Sequence, residues 1–261
     1  MGTMYRRLPA DGDVEAFEPT DYTRSNWSPE IQHGSPPLAL LTKSIEGLLD
    51  GSDLRIGRLS LEILGAIPVV PVAVSARIER PGKRISLLAA EMTPLEPATA
   101  RPVARVTAWA LAKNDTSDVA SNRYPPLLEG ETVPLEKGWW NVGGYVPGIE
   151  WRRQHTDPAD AAVFWLSPKV NLVDDEETTG TQRLAMVVDS ANGVGTVLDS
   201  TFAYMNTDTV VHLHRLPTGC DFGVRARASI GPDGIGVTNA EIFDRTGFVG
   251  TSAQTLLIQR L

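Results

Sequence analysis

The chain of 261 residues contains its own copy. "VSARIERPGKRIS" begins at Val74 and "VRARASIGPDGIG" at Val224, an offset of 224 − 74 = 150. In that register Val74, Ala76, Arg77 and Ile85 meet Val224, Ala226, Arg227 and Ile235. Each segment alternates in polarity, turns through Pro and Gly, and alternates again, which is the pattern of a β-hairpin. The flanks agree in kind. A strand precedes each hairpin, "GRLSLEIL" and then "DTVVHLHRL", and a helix precedes each of those strands, over 36–49 and over 182–198. After each hairpin comes a β-branched-rich strand, over 102–112 and over 248–261. The order helix followed by four strands therefore occurs twice. Such a unit carries one apolar helix and one antiparallel sheet, and each can bury its apolar face only against the other, so the fold class is α+β.

This duplication divides the chain into residues 1–112 and 149–261, with 113–148 between them reading as a linker rich in Asp, Pro and Gly. Within the linker "GWWNVGGY", residues 138–145, is aromatic enough to pack against something.

Charge narrows the partners. With 24 basic against 32 acidic residues the chain is net −8, which disfavours nucleic acid and anionic membrane surfaces as partners. Cys220 is the only cysteine, so no internal disulfide forms and a reducing compartment is the natural setting. One cysteine and four histidines leave little from which to build a metal site, and none is expected. The longest apolar run, residues 63–74, is too short to span a bilayer and contains two prolines. A soluble cytoplasmic protein is the expectation.

The second helical stretch, "QRLAMVVDSANGVGTVL", raises a chemical question. Leu184, Val187, Val188, Ala191, Gly195 and Leu198 recur at helical spacing and define a buried face. Asp189 lies off that face, on a second stripe with Ala185, Asn192 and Thr196. Two readings fit: a solvated face, or a helix buried nearly all round whose second stripe lines a cavity.

Several stretches together resemble a known family. These are "FEPTDYTRSNW" followed by "QHGSPPLALL", "NTDTVVHLHRLP", and "SIGPDGIGVTNAEIFDRTGFVGTSAQTLLI". In these the chain resembles the double-hotdog acyl-CoA thioesterases of the thioesterase II type, and within them the actinobacterial thioesterase-like branch. The resemblance covers nearly the whole length. It implies a double hotdog, two tandem repeats in which an antiparallel sheet wraps a long central helix. It also implies an acyl-CoA substrate, no cofactor, and assembly as a homodimer or higher homo-oligomer.

By position, the family's water-activating aspartate falls on Asp189 and its helper glutamine on Gln254. The place of its usual Ser/Thr hydroxyl holds Asn206 here, with Thr207 adjacent on the opposite strand face, and either Asn206 or Thr207 is the candidate to complete the site. His33-Gly34-Ser35 stands where His-Gly-Gly is usual. Ser35 reads as the N-cap of the first helix and Pro36 as its first residue, so free N–H groups beside Gly34 would favour a developing oxyanion. Asp189 would act as base or nucleophile, while Gln254 and Asn206 direct a water. At the corresponding positions the first half carries Ala108 (254 − 108 = 146) and Leu41-Thr42, so one site rather than two is expected.

Two other functions remain open on sequence alone. One is a hotdog that binds acyl-CoA without cleaving it. The other is a hydratase, whose usual D-x4-H arrangement is absent. No GxSxG elbow occurs, which argues against an α/β-hydrolase thioesterase.

Overall fold

The computed structural model describes residues 2–10, 14–97, 100–127, 130–134, 144–154 and 161–261. In the first half these form β1 (Thr3–Leu8), β2 (Glu15–Pro19), helix α1 (Ser35–Gly47), β3 (Leu54–Ile63), β4 (Val72–Arg80), β5 (Ile85–Pro94) and β6 (Ala104–Ala112). The second half contains β7 (Thr132–Pro134), β8 (Ile149–Gln154), β9 (Ala162–Pro168), β10 (Asn171–Val173), α2 (Gly180–Val188) and α3 (Ala191–Gly195). It continues with β11 (Phe202–Asn206), β12 (Asp208–Leu213), β13 (Phe222–Ile230), β14 (Ile235–Asp244) and β15 (Gly247–Arg260).

All these strands belong to one sheet, joined at its centre where β3 pairs antiparallel with β12 and Ser60 faces Val210. Outward from that seam the order is β6, β5, β4, β2, β1 on one side and β15, β14, β13, β9, β8 on the other. Over these strands the two orders correspond, and beyond them β10 of the second half pairs parallel with β1 while β7 pairs antiparallel with β8. β1 and β2, and β7 to β11, are strands that the sequence pattern did not mark, and β7 lies inside the stretch read as a linker.

α1 packs on β4, β5 and β6 and also against α2, which itself lies on β9 and β13. With sheet on one side and helix on the other, α1 is buried from Ser35 to Thr42, and Leu38, Leu40, Leu41 and Ile45 are wholly inaccessible. A continuous apolar core runs through both halves. Among the described residues no helix is long and apolar enough to cross a membrane.

The acidic loop before α2 is more than a solvated link. Thr179 and Gln182 form a reciprocal capping box, each side chain accepting from the other's backbone N–H at 3.2 Å. Glu46, near the C-terminal end of α1, accepts from Thr179 Oγ1 at 2.9 Å and from Gln182 Nε2 at 2.7 Å. Its carboxylate thus sits at the positive end of α2 and ties the two helices together.

The helix expected over 182–198 is two helices, and the break falls at Asp189. A continuous helix needs the Gly193 N–H to donate to the Asp189 carbonyl. Instead the Asp189 carbonyl accepts from Gln254 Nε2 at 2.8 Å, and the Gly193 N–H donates to Asn192 Oδ1 at 2.7 Å. The Ser190 N–H turns back to the Val187 carbonyl at 3.0 Å, closing α2 with a tighter turn. Thr196 and Leu198 lie beyond α3.

Candidate active site

Asp189 is the C-cap of α2 and only 2% exposed, so its stripe faces the interior and not solvent. Three donors converge on its Oδ1. Asn206 Nδ2 donates at 2.7 Å, the Thr209 hydroxyl donates closely, and Gln254 Nε2 stands at 3.3 Å. Gln254 Nε2 also reaches Thr209 Oγ1 at 2.9 Å, which links the donors to one another. A buried carboxylate requires compensation of this kind, because an unpaired charge out of water is costly. Oδ2 accepts no hydrogen bond from any described residue.

The element that supplies these donors is irregular. β11 pairs with β15 through Asn206↔Leu256, whereas β12 pairs with β15 through Val210↔Ala253. The partner numbers sum to 462 in the first case (206 + 256) and 463 in the second (210 + 253), so one extra residue has entered between β11 and β12. Such a bulge interrupts the alternation of side chains. Asn206 and Thr209, three apart, therefore both face Asp189. Thr207, expected beside the site, is instead exposed and donates to Asp208 Oδ1 at 3.2 Å. The hydroxyl against Asp189 is that of Thr209, wholly buried on β12, which the sequence reading did not single out.

The other wall comes from the first half. Gly34, not Ser35, occupies the N-cap of α1, with φ −68° and ψ −27° and no capping side chain. Ser35 is the first helical residue, and its N–H donates to His33 Nδ1 at 3.1 Å. Pro36 and Pro37 have no N–H, so the expected cluster of free donors at this helix end reduces to Gly34, whose N–H has no partner among the described residues. Gly34 presses against the carboxylate: a Cβ built there would lie 2.4 Å from Asp189 Oδ2 and 2.8 Å from its Cγ.

His33 stacks on Tyr145 with ring centroids 3.9 Å apart and planes 9° from parallel. Its Nδ1 lies 3.6 Å from Asp189 Oδ2. Because Nδ1 accepts from Ser35, the proton of the neutral ring is assigned to Nε2. Burial lowers the His33 pKa, an effect that the nearby Asp189 charge only partly offsets. Tyr145 lies inside the stretch read as a linker, and residues 138–143 of its aromatic motif lie outside the described residues. Its hydroxyl donates to the Met186 carbonyl at 2.8 Å and meets Ser190 Oγ at 2.9 Å, with burial raising its pKa so that it remains a donor.

A stability consequence follows for His33. In the unfolded chain it takes up a proton as pH falls through about 6.5, whereas in the folded chain it resists until the pH is lower. Protons then bind preferentially to the unfolded state, so stability is fully present above that range and declines on acidification below it. Urea unfolding between pH 8 and pH 5 is expected to show this decline, and His33→Gln, which can still accept from Ser35, to flatten it. An unchanged slope in the variant would remove His33 as its source.

Three further polar side chains lie away from this cluster. His212 and His214 are exposed on the outer face of the sheet. Arg215 forks onto Asp244 with hydrogen bonds of 2.7 and 2.6 Å and so is structural.

Two domain families match this chain. The acyl-CoA thioesterase N-terminal domain matches residues 23–111, and the acyl-CoA thioesterase C-terminal domain matches residues 126–258. The chain belongs to the acyl-CoA thioesterase family. No curated protein matches it. Among solved structures, it is similar to a proposed thioesterase II from Thermobifida fusca YX, with 16% identity, TM-score 0.73, and coverage of 97% of this chain and 95% of that one. The acyl-CoA thioesterase II TesB2 of Mycobacterium marinum gives 11%, 0.70, 98% and 95%. A hot dog fold protein of unknown function from Alicyclobacillus acidocaldarius gives 13%, 0.73, 97% and 96%. At such identities the likeness concerns the fold, and this thioesterase-family chain has the hotdog type of α+β architecture.

Proposed function

We propose that this protein hydrolyses acyl-CoA thioesters to a free acid and CoA by direct attack of water. In this reading residues 1–112 and 149–261 are two hotdog repeats in tandem, and 113–148 connects them. They share one site, with its carboxylate from the second repeat and its glycine-lined wall from the first. The observation that carries the proposal is the state of Asp189: buried, with Oδ1 held by three donors and Oδ2 left without one.

That asymmetry suits a general base. Oδ1 is tied down and fixes the plane of the carboxylate, while Oδ2 is available to take the proton of a water. The water oxygen bonds to the thioester carbon and its proton passes to Oδ2. The carbonyl oxygen becomes an oxyanion, for which the Gly34 N–H at the positive end of α1 is the donor at hand. Collapse breaks the carbon–sulfur bond, and the departing thiolate recovers the proton from Asp189. Thr209, Asn206 and Gln254 position the base. These steps draw on side chains, water and the one backbone N–H of Gly34.

The test is free-thiol release from an acyl-CoA. Wild-type protein is expected to release CoA, and Thr209→Val to lower kcat by about 10- to 100-fold, less than the roughly 10²- to 10⁴-fold worth of an acid–base group itself, because Thr209 only positions the base. KM should change little, and Thr209→Ser should recover most of the loss. An acyl-CoA that stays bound and uncleaved through hours of incubation would instead identify a binding protein.

A further inference from the structure

We propose that the acyl group recognised is compact, an aliphatic chain filled out by about eight to ten carbons or an aryl-acyl group of that size. This rests on the thioesterase reading above and extends it to substrate class. The carboxylate of Asp189 opens on a cleft of about 250 Å³, which His33, Gly34, Asn192 and Asn206 line at the polar end. Its remaining wall is mainly apolar, with the aromatic rings of Trp27, Trp151 and Tyr204 set among aliphatic side chains such as Ile31 and Ile67. Two edge-to-face aromatic pairs stand in it: Trp27 with Tyr204, 5.2 Å apart at 89°, and Tyr145 with Trp151, 6.3 Å apart at 85°.

Size sets the limit. A dry apolar cavity of about 150 Å³ holds one benzene, roughly 25 Å³ per carbon. On that scale 250 Å³ takes about ten carbons, the first of them the thioester carbonyl beside Asp189. Each methylene placed in the cleft leaves water and favours binding. Methylenes beyond its capacity find no apolar wall and add nothing. The rings lining the cleft also offer edges and faces to an aromatic substituent, a favoured arrangement for paired rings.

The experiment compares kcat/KM for butyryl-, octanoyl-, phenylacetyl- and palmitoyl-CoA by thiol release. Octanoyl-CoA is expected to exceed butyryl-CoA at least tenfold, phenylacetyl-CoA to fall within tenfold of octanoyl-CoA, and palmitoyl-CoA to show no gain over octanoyl-CoA. A second arm fills the cleft. Gly193 lines it, and a Cβ built there meets no atom within 4 Å, so the backbone has room for a side chain and Gly193→Leu should take up cleft space. The octanoyl-to-butyryl ratio is expected to drop at least tenfold in that variant, with thermal unfolding confirming that it folds. A palmitoyl preference, a phenylacetyl rate at the butyryl level, or an unchanged ratio in Gly193→Leu would overturn the size assignment while leaving hydrolysis standing. Thiol release from none of the four would remove the thioesterase reading itself, and this inference with it.

Discussion

Asp189→Asn is expected to lower kcat for acyl-CoA hydrolysis by about a thousandfold while leaving the protein folded. The two halves of that statement have separate causes. An asparagine can set its carbonyl oxygen where Oδ1 stands and still accept from Asn206, Thr209 and Gln254. The bonds weaken because the acceptor is no longer charged, but none of these three donors is left unpaired and the new amide N–H groups face the cleft, so the unfolding midpoint should shift by only a few degrees. The amide nitrogen then occupies the place of Oδ2, the oxygen assigned to receive the proton of water. An amide nitrogen has no lone pair to offer a proton, so the reaction loses its base. KM should remain within a few-fold of wild type, since the cleft walls are untouched. Alanine would be a poorer probe: it strands three buried donors around a void, and lost activity could then reflect a damaged core. Retention of more than about a tenth of wild-type kcat by the asparagine variant would exclude general-base action by this carboxylate.

How far such a site can be read from sequence depends on the range of the interactions that build it. The paired hairpins were legible because alternation and turn residues act locally, and Pro81-Gly82 and Pro232-Asp233-Gly234 mark turns whatever surrounds them. Asp189, Gln254 and Asn206 were reached through the helical stripe and the family resemblance together, and the fold brings all three into one cluster. Thr209 escaped because strand alternation was assumed to run unbroken, and one inserted residue between β11 and β12 resets it. The split helix had a local signal: "SANGVG" concentrates residues of low helix propensity directly after Asp189. Its cause, the amide of Gln254, comes from a strand 65 residues further along. Tyr145 belongs to the motif expected to pack, and it does, but its place in the site escaped for the same reason of range. Nothing in its neighbourhood announces a ring that will stack on His33, more than a hundred residues earlier. Side chains whose role depends on contacts across the sheet seam leave little trace in local pattern.

Gly34→Ala is expected to cost up to about a hundredfold in kcat, although the backbone at this position accepts alanine readily. Gly34 sits at φ −68° and ψ −27°, ordinary right-handed helical territory, so glycine is not needed here for conformational freedom. It is needed for room. The added methyl would stand 2.4 Å from Asp189 Oδ2, 2.8 Å from Cγ and 3.0 Å from Oδ1, all well inside contact distance. Neither side yields easily. The α1 terminus is followed by Pro36 and Pro37 and by a fully buried Leu38, while the carboxylate is held by three donors. Relief therefore has to come from turning the carboxylate off its donors or from lifting the Gly34 N–H away from it. Either movement separates the base from the oxyanion donor by a fraction of an ångström or more, and in a site that works by alignment a displacement of about 1 Å costs about a hundredfold. Overpacking of this kind also destabilises by about 1–3 kcal/mol. Combining the substitution with Asp189→Asn distinguishes crowding from an independent role. If the methyl acts only by displacing the carboxylate, the double variant should be no slower than Asp189→Asn alone. Additive losses would place the contribution of Gly34 in its own N–H, and a Gly34→Ala enzyme of wild-type kcat would show that the wall it forms with Asp189 is not where the thioester reacts.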